Sequence, residues 1–488
     1  MKLKRWLCTV FLVCVAGAQG LQAQPVGLPS MGAASSADLS PALEQTLGDA
    51  IMEQGRRFPS YINDADVSQY LLGLGRRLSQ ASSGSDVTVF GVRDPSINAF
   101  ALPGGYVGIN SGLIVAADNE SQLASVVAHE IAHVYQRHVA RGMTQSTKSR
   151  NIALASIAGA LLAALAGSGD LAMGVAAFGQ AAAVDQQLGF SRQAEQEADR
   201  AGFEMLTKAG FDPAGMVQMF SKLENAARLN RGAGGGAYAS THPLSIQRMS
   251  DIENRARGMS AGRHQDSDAF WFVRSKLRVL QARDSGSARN AESVLRQEAS
   301  QYEGVRRAAA WYGLAYLAWE RKAYDEVAQA LRQAGAQGVQ SPPMASLEID
   351  LAMARNQVEQ ARQIADRALA RWPENQGVGL AAVEALLKSN ETSAALNQLD
   401  NLIKRWPEEP RFYQLQAQAF ERLGEPVKAR RAMADYYERM GALAAAVEQL
   451  QQARGLSNDF YEQSELDVRI RELQDRVRTN RELLEQFR

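Results

Sequence analysis

The residues whose chemistry is most evident are His129-Glu130-Ile131-Ala132-His133. The chain holds only five histidines, and this segment has two of them. On a helix, positions i and i+4 share one face, a turn apart. Two neutral imidazoles placed so can hold one tetrahedral zinc ion, and Glu130 beside them can reach a water at that ion. A catalytic zinc needs a third protein ligand and one open position. Ser191 to Asp199 supplies candidates, because Glu195 and Asp199 are again i and i+4. Glu195 is assigned as third ligand. Asp199, one turn on, can accept the spare N–H of a ligand histidine. Glu197 points away from Glu195 around the helix and is expected to be solvated. His138 falls about 140° round the helix from His133 and reads as structural. His264 has no motif around it. His242 sits in Ser240-Thr241-His242-Pro243-Leu244-Ser245-Ile246-Gln247-Arg248.

The elements that must position these groups can be read from periodicity. Helical patterning starts near Leu43 and runs to about Leu78. Three β-rich runs follow: Asp86 to Val92, Asn98 to Leu102, and Tyr106 to Asn110. Pro103-Gly104-Gly105 joins the last two and has turn chemistry. A helix is expected from about Glu120 to Arg141, with Asn119 and Gln122 as a capping box. Leu123, Val126, Val127, Ile131 and Val134 give it one apolar stripe. Ile152 to Val184 has one charge, Asp170, and is packed with Ala and Gly. It reads as a buried helical hairpin, or as a loop that makes peripheral contact with a membrane or an apolar client. Residues 230–237 form a Gly-rich loop, and composition turns polar near 262, where a domain boundary is placed.

The second half repeats. Arg371-Trp372-Pro373 recurs as Arg405-Trp406-Pro407, and Ala361, Ala395 and Ala429 keep the same 34-residue spacing. That is the period of tetratricopeptide repeats, helix pairs that bury their faces only against neighbouring pairs. Trp311-x-x-Leu314-Ala315-x-x-x-Trp319 fits the first helix of such a unit. Residues 265–488 are therefore expected to be an all-α solenoid, a separate module that selects clients or docks the protease.

Residues 1–23 read as a cleaved signal peptide. Lys2, Lys4 and Arg5 precede an apolar run from Trp6 to Ala18, and Leu21-Gln22-Ala23 is a suitable cleavage site. Residues 24–42 look like a flexible leader. Both cysteines, Cys8 and Cys14, lie in the signal segment, so the mature chain has neither disulfide nor thiolate ligand. The 53 basic and 53 acidic residues balance, and no basic excess points to nucleic acid. At 488 residues with 46% apolar composition, the chain can build more than one core.

The set His129-Glu130-x-x-His133, Glu195-x-x-x-Asp199 and His242-Pro243 with Arg248 resembles the zinc peptidases of the CAAX prenyl protease and HtpX type, over about residues 40 to 470. With the signal peptide and repeats, the similarity narrows to the periplasmic branch concerned with outer-membrane protein assembly. The resemblance implies an α+β gluzincin-type domain at 43–262, followed by the repeat solenoid. It implies one Zn2+ per chain. It also implies substrate paired along the edge strand Asn98, Ala99, Phe100, Ala101 and Leu102. Implied clients are unfolded or misassembled outer-membrane proteins in the periplasm, and the implied partner is the barrel-assembly machinery, met through the repeats. In this reading Glu130 is the general base, and His242 or Arg248 steadies the oxyanion. His242 could instead take the fourth zinc position as a latch. The rival class is a chaperone or scaffold with a mostly latent peptidase domain.

Overall fold

The computed structural model describes residues 40–82, 87–145, 191–229, 237–257, 259 and 264–486. The signal segment, the Ile152–Val184 stretch and the loop 230–236 lie outside the described residues.

The helical pattern from Leu43 to Leu78 is two helices, not one. α1 spans Pro41–Gly55 and α2 spans Ala65–Gln80. Pro59 disfavours helix at the residue before it, and Asp64 opens α2 by capping Val67 N–H at 3.1 Å. Three strands follow: β1 (Thr88–Val92), β2 (Ala99–Leu102) and β3 (Tyr106–Asn110). Their order is β1-β3-β2, with β1 parallel and β2 antiparallel to β3. β2 is therefore an edge strand. The β2–β3 turn needs a left-handed residue, and Gly104 supplies it at φ 75°.

A short α3 (Ser111–Ala116) leads into α4 (Glu120–Tyr135), which carries the histidine pair. Asn119 caps α4 by accepting Gln122 N–H at 2.9 Å. The helix does not run on to Arg141. Arg137 adopts φ 52°, a conformation costing a non-glycine residue about 1–2 kcal/mol. An ion pair to Glu44 at 2.8 Å holds it there. The chain then restarts as α5 (His138–Gln145). α6 (Arg192–Lys208) packs on α4, and Gly202 makes that approach possible. A Cβ at Gly202 would lie 3.0 Å from His129 N and 3.1 Å from its Cα. α7 (Ala214–Leu229), α8 (Ala237–Thr241) and α9 (Ile246–Arg257) complete this region.

Twelve further helices follow among the described residues, α10 (Asp268–Leu280) to α21 (Phe460–Gln486). The 34-residue period is visible in them. α14 (Pro342–Ala354), α16 (Gln376–Lys388) and α18 (Pro410–Arg422) start 34 residues apart. So do α15 (Val358–Arg371), α17 (Thr392–Arg405) and α19 (Pro426–Arg439). Four of the turns inside pairs use a left-handed residue at one repeat position: Lys322, Asn356, Asn390 and Gly424, with φ of 57°, 58°, 60° and 71°. The repeating arginines reach back to the preceding unit. Arg371 binds Gln340, Arg405 binds Glu374, and Arg439 donates to Pro407 O. The period thus fixes helix starts, turns and hooks between units together.

The solenoid folds around α1 and α2 instead of standing apart. Gln69 of α2 accepts from Asn375 Nδ2 at 3.0 Å and Gln376 N at 2.9 Å. Lys276 of α10 is buried between Asp64 at 2.7 Å and Asp66 at 2.8 Å. At the far end, Arg476 and Asn480 of α21 bind Glu53 of α1. Leu483 packs with Leu47, Ile51 and Met52. The main apolar core also crosses the boundary expected near 262. It joins Leu71, Val127, Ile131, Phe203 and Phe220 to Phe270, Leu277, Leu314 and Leu347. The separate module read from the sequence is, in its first helices, part of the same core.

Candidate metal centre

α4 and α6 cross with His129 and His133 facing Glu195 and Asp199, and all four residues are buried. His129 Nε2 and His133 Nε2 lie 3.0 Å apart. Glu195 Oε2 is 3.6 Å from His129 Nε2, and Glu195 Oε1 is 3.4 Å from His133 Nε2. Glu195 is in the first turn of α6, where the helix dipole favours a carboxylate. Ser191 caps that turn. On the outer side of His129, Nδ1 meets Asp199 Oδ1 at 3.1 Å.

His242 enters at the end of α8, with its N–H on Tyr238 O at 2.8 Å. Its ring stacks on Tyr238, centroids 4.6 Å apart and planes 24° from parallel. His242 Nδ1 lies 3.0 Å from Glu195 Oε1, and Nε2 lies 3.5 Å from Glu130 Oε1. One ligand atom each from His129, His133, Glu195 and His242 fall within 4.8 Å of one another.

This donor set fits a metal ion. Two imidazole nitrogens 3.0 Å apart need a proton or a cation between their lone pairs. Three imidazoles and a carboxylate, with no thiolate, suit zinc. Both carboxylate oxygens of Glu130 are buried without a hydrogen-bond partner among the described residues. A buried carboxylate left so costs free energy, and a catalytic role is one reason for a fold to keep it.

The charges are arranged to keep the carboxylates ionised. Burial works against charge on Glu195, but His242 and His129 outweigh it and hold the group far below its usual range. Asp199 is likewise lowered despite burial, through Arg248 and His129. Burial opposes protonation of His129 too, yet the neighbouring carboxylates of Asp199 and Glu195 raise it to about 9. His133 goes the other way, lowered by burial and by the charge on His129. Burial, then the charge on Glu130, raises Tyr238 well above an ordinary phenol.

Arg248, read as an oxyanion donor or its alternative, is placed elsewhere. Its Nε and Nη2 bind the two oxygens of Asp199 at 2.7 Å each, and Nη1 lies 2.6 Å from Glu195 Oε2 and 2.9 Å from Pro243 O. With its donors on those carboxylates, it positions them. Glu197 is not simply solvated. Its side chain is 28% exposed, but His138, Arg141 and Gln193 bind it. His138 lies with Nδ1 2.8 Å from His133 Nδ1, because the kink at Arg137 turns α5 back toward the site. His264 joins Glu120 and Asp266 in a different cluster. The edge strand β2 lies against α4, and Asn98 Oδ1, just before it, is buried without a hydrogen-bond partner among the described residues. Phe220, edge-on to His129 at 5.9 Å, and Tyr238 escaped the sequence reading, since a lone aromatic carries no spacing signal.

Residues 63–256 match the model of peptidase family M48, and residues 352–419 match that of a tetratricopeptide repeat. Metalloprotease LoiP of Escherichia coli is 30% identical over 264 residues, covering 52% of this chain and 97% of that protein. The chain belongs to peptidase family M48. This M48 chain is also 38% identical over 309 residues to the beta-barrel assembly-enhancing protease of Escherichia coli K12, covering 62% of each. A Vibrio cholerae protein of the same description is 37% identical over 292 residues, covering 53% of this chain. The M48 chain spans 57% and 62% of the length of the Vibrio and Escherichia relatives. Yeast Tom70 overlays at a TM-score of 0.30 with 11% identity, covering 75% of this chain and 88% of Tom70, too slight a likeness to bear on fold or function. Membership in family M48 implies a metal-dependent peptidase, and the group of His129, His133, Glu195 and His242 is where the described residues could hold the ion.

Proposed function

We propose that the chain is a zinc endopeptidase exported to the periplasm by residues 1–23, which degrades misassembled outer-membrane β-barrel proteins and assists their assembly. The observation that carries the peptidase reading is the convergence of His129, His133, Glu195 and His242 beside Glu130, whose buried oxygens have no hydrogen-bond partner among the described residues. The name of the beta-barrel assembly-enhancing relatives supports the client class. The repeats support protein binding, and their partner is proposed to be the barrel-assembly machinery. No helix of the described residues is long and apolar enough to cross a membrane.

His129, His133 and Glu195 would hold the zinc. When bound, the ion supplies Lewis acidity toward the scissile carbonyl and toward a water. Glu130 takes the proton of that attacking water and returns it to the leaving amine. Asp199 fixes the ring of His129, and Arg248 fixes Asp199 and Glu195. A peptide adds to the outer edge of β2. His242 is proposed as the fourth ligand of the resting site, a latch that must leave before substrate enters.

The test is cleavage of an unfolded outer-membrane β-barrel protein by the zinc-loaded, the chelated and the reloaded chain. Loss and return of cleavage with the metal is expected. Cleavage that persists without metal contradicts the reading.

A further inference from the structure

His129 has an evident partner behind it, the carboxylate of Asp199. On the outer nitrogen of His133, the second proposed ligand, the described residues place another imidazole. His133 Nε2 faces His129 and Glu195, whereas its Nδ1 lies 2.8 Å from His138 Nδ1. The far nitrogen of His138, Nε2, lies 3.2 Å from Glu197 Oε2. Arg141 Nη1 donates to that same oxygen at 2.8 Å, and Gln193 Nε2 donates to Glu197 Oε1 at 2.8 Å. His133 is fully buried and His138 is 2% exposed.

The proton positions along this row follow from its two ends. An imidazole that gives the Nε2 lone pair to a metal carries its hydrogen on Nδ1. His133 Nδ1 must therefore donate, and His138 Nδ1 must accept. A neutral His138 then keeps its hydrogen on Nε2, facing Glu197. Arg141 and Gln193 present only N–H groups to Glu197, so they favour its ionised, accepting form. Among the described residues the donors and acceptors of this row run one way, from His133 to His138 to Glu197. We propose that His138, oriented by Glu197 and Arg141, is the positioning residue for His133. It fixes the tautomer and ring angle of His133 as Asp199 does for His129. A core histidine that merely filled space would not need its two nitrogens aimed at a ligand histidine and at a carboxylate. The kink at Arg137 is what puts the ring there, since an unbroken helix would carry residue 138 off the ligand face.

The inference rests on the metal reading, and the experiment separates the two. Zinc affinity of the full chain is measured by chelator competition for wild type, His138→Leu, His138→Asn and Glu197→Gln, with the melting temperature of each metal-free protein as a check on folding. Asn can place an acceptor oxygen where His138 Nδ1 stands, whereas Leu offers bulk without an acceptor. His138→Leu is expected to bind zinc about 10–100-fold more weakly, the usual effect of losing such a partner. His138→Asn should recover most of that loss, and Glu197→Gln should fall between. Imidazole 15N shifts of the zinc-loaded wild type should show His138 with its hydrogen on Nε2. Wild-type affinity in His138→Leu, equal losses in the Leu and Asn variants, or a hydrogen on His138 Nδ1 overturns the proposal. Should His138→Leu not fold, Glu197→Gln and the shifts decide it. A wild type that binds no zinc overturns the metal reading itself, and this proposal with it.

Discussion

Arg248 grips Asp199 through two bonds of 2.7 Å, and Asp199 in turn sits 3.1 Å from the ring of His129. Arginine matches a carboxylate in this bidentate way, and the match fixes direction as well as distance. The guanidinium also reaches Glu195. One side chain thus braces the outer partner of one proposed ligand and the carboxylate of another.

The first prediction concerns this clamp. Arg248→Ala leaves buried Asp199 without its main counter-charge and Glu195 without one of its partners. Breaking a buried pair from one side costs about 3–5 kcal/mol. The variant should unfold at clearly lower denaturant and bind zinc more weakly. Arg248→Lys should recover only part, because an ammonium cannot make the paired contact. Equal unfolding midpoints for wild type and Arg248→Ala contradict the clamp.

His242 separates latch from transition-state donor. As a latch, its loss opens the fourth position, so His242→Ala should cleave unfolded protein faster than wild type with zinc retained. As an oxyanion donor, its loss should cut the rate by about 10²–10³-fold. Its closeness to Glu195 and Glu130, and its membership of the four-residue group, favour the latch. A drop in turnover with zinc in place rejects it.

The shared core predicts how the chain tolerates cutting. A chain ending near 262 would strip Phe270, Phe272 and Leu277 from the core that also holds Leu71, Val127 and Phe220. Burying one such side chain contributes about 1.5–3 kcal/mol, and the buried Lys276 pairs would go too. The shortened chain should be digested rapidly by a nonspecific protease under conditions where the full chain resists. Equal resistance contradicts a core common to both halves.

Much of this could be read from residue spacing. His129 with His133, and Glu195 with Asp199, share helix faces as periodicity places them, because i and i+4 geometry is local; the packing of α4 on α6 brings the two pairs together. The repeat was legible because period is a property of sequence alone, and the left-handed turns at Lys322, Asn356, Asn390 and Gly424 share it. What escaped depends on departures from regularity or on distant packing. The positive φ of Arg137 turned His138 toward His133, and an unbroken-helix reading placed it elsewhere. From sequence Arg248 is one of two oxyanion candidates beside His242, a role that fits any buried guanidinium; its distances put its donors on Asp199 and Glu195. The wrapping of the solenoid around α1 and α2 joins residues more than 300 apart, such as Gln69 and Asn375, and no local pattern announces that.

The central claim is that Glu130 acts as the base of a zinc peptidase whose metal site does not need it. Glu130→Gln keeps size and loses basicity. The most direct measurement is zinc content, together with the rate of cleavage of an unfolded outer-membrane β-barrel protein, on wild type and Glu130→Gln prepared alike. Equal zinc in both, with cleavage only in wild type, is the predicted result. Cleavage at the wild-type rate by Glu130→Gln, or no zinc in wild type, contradicts it.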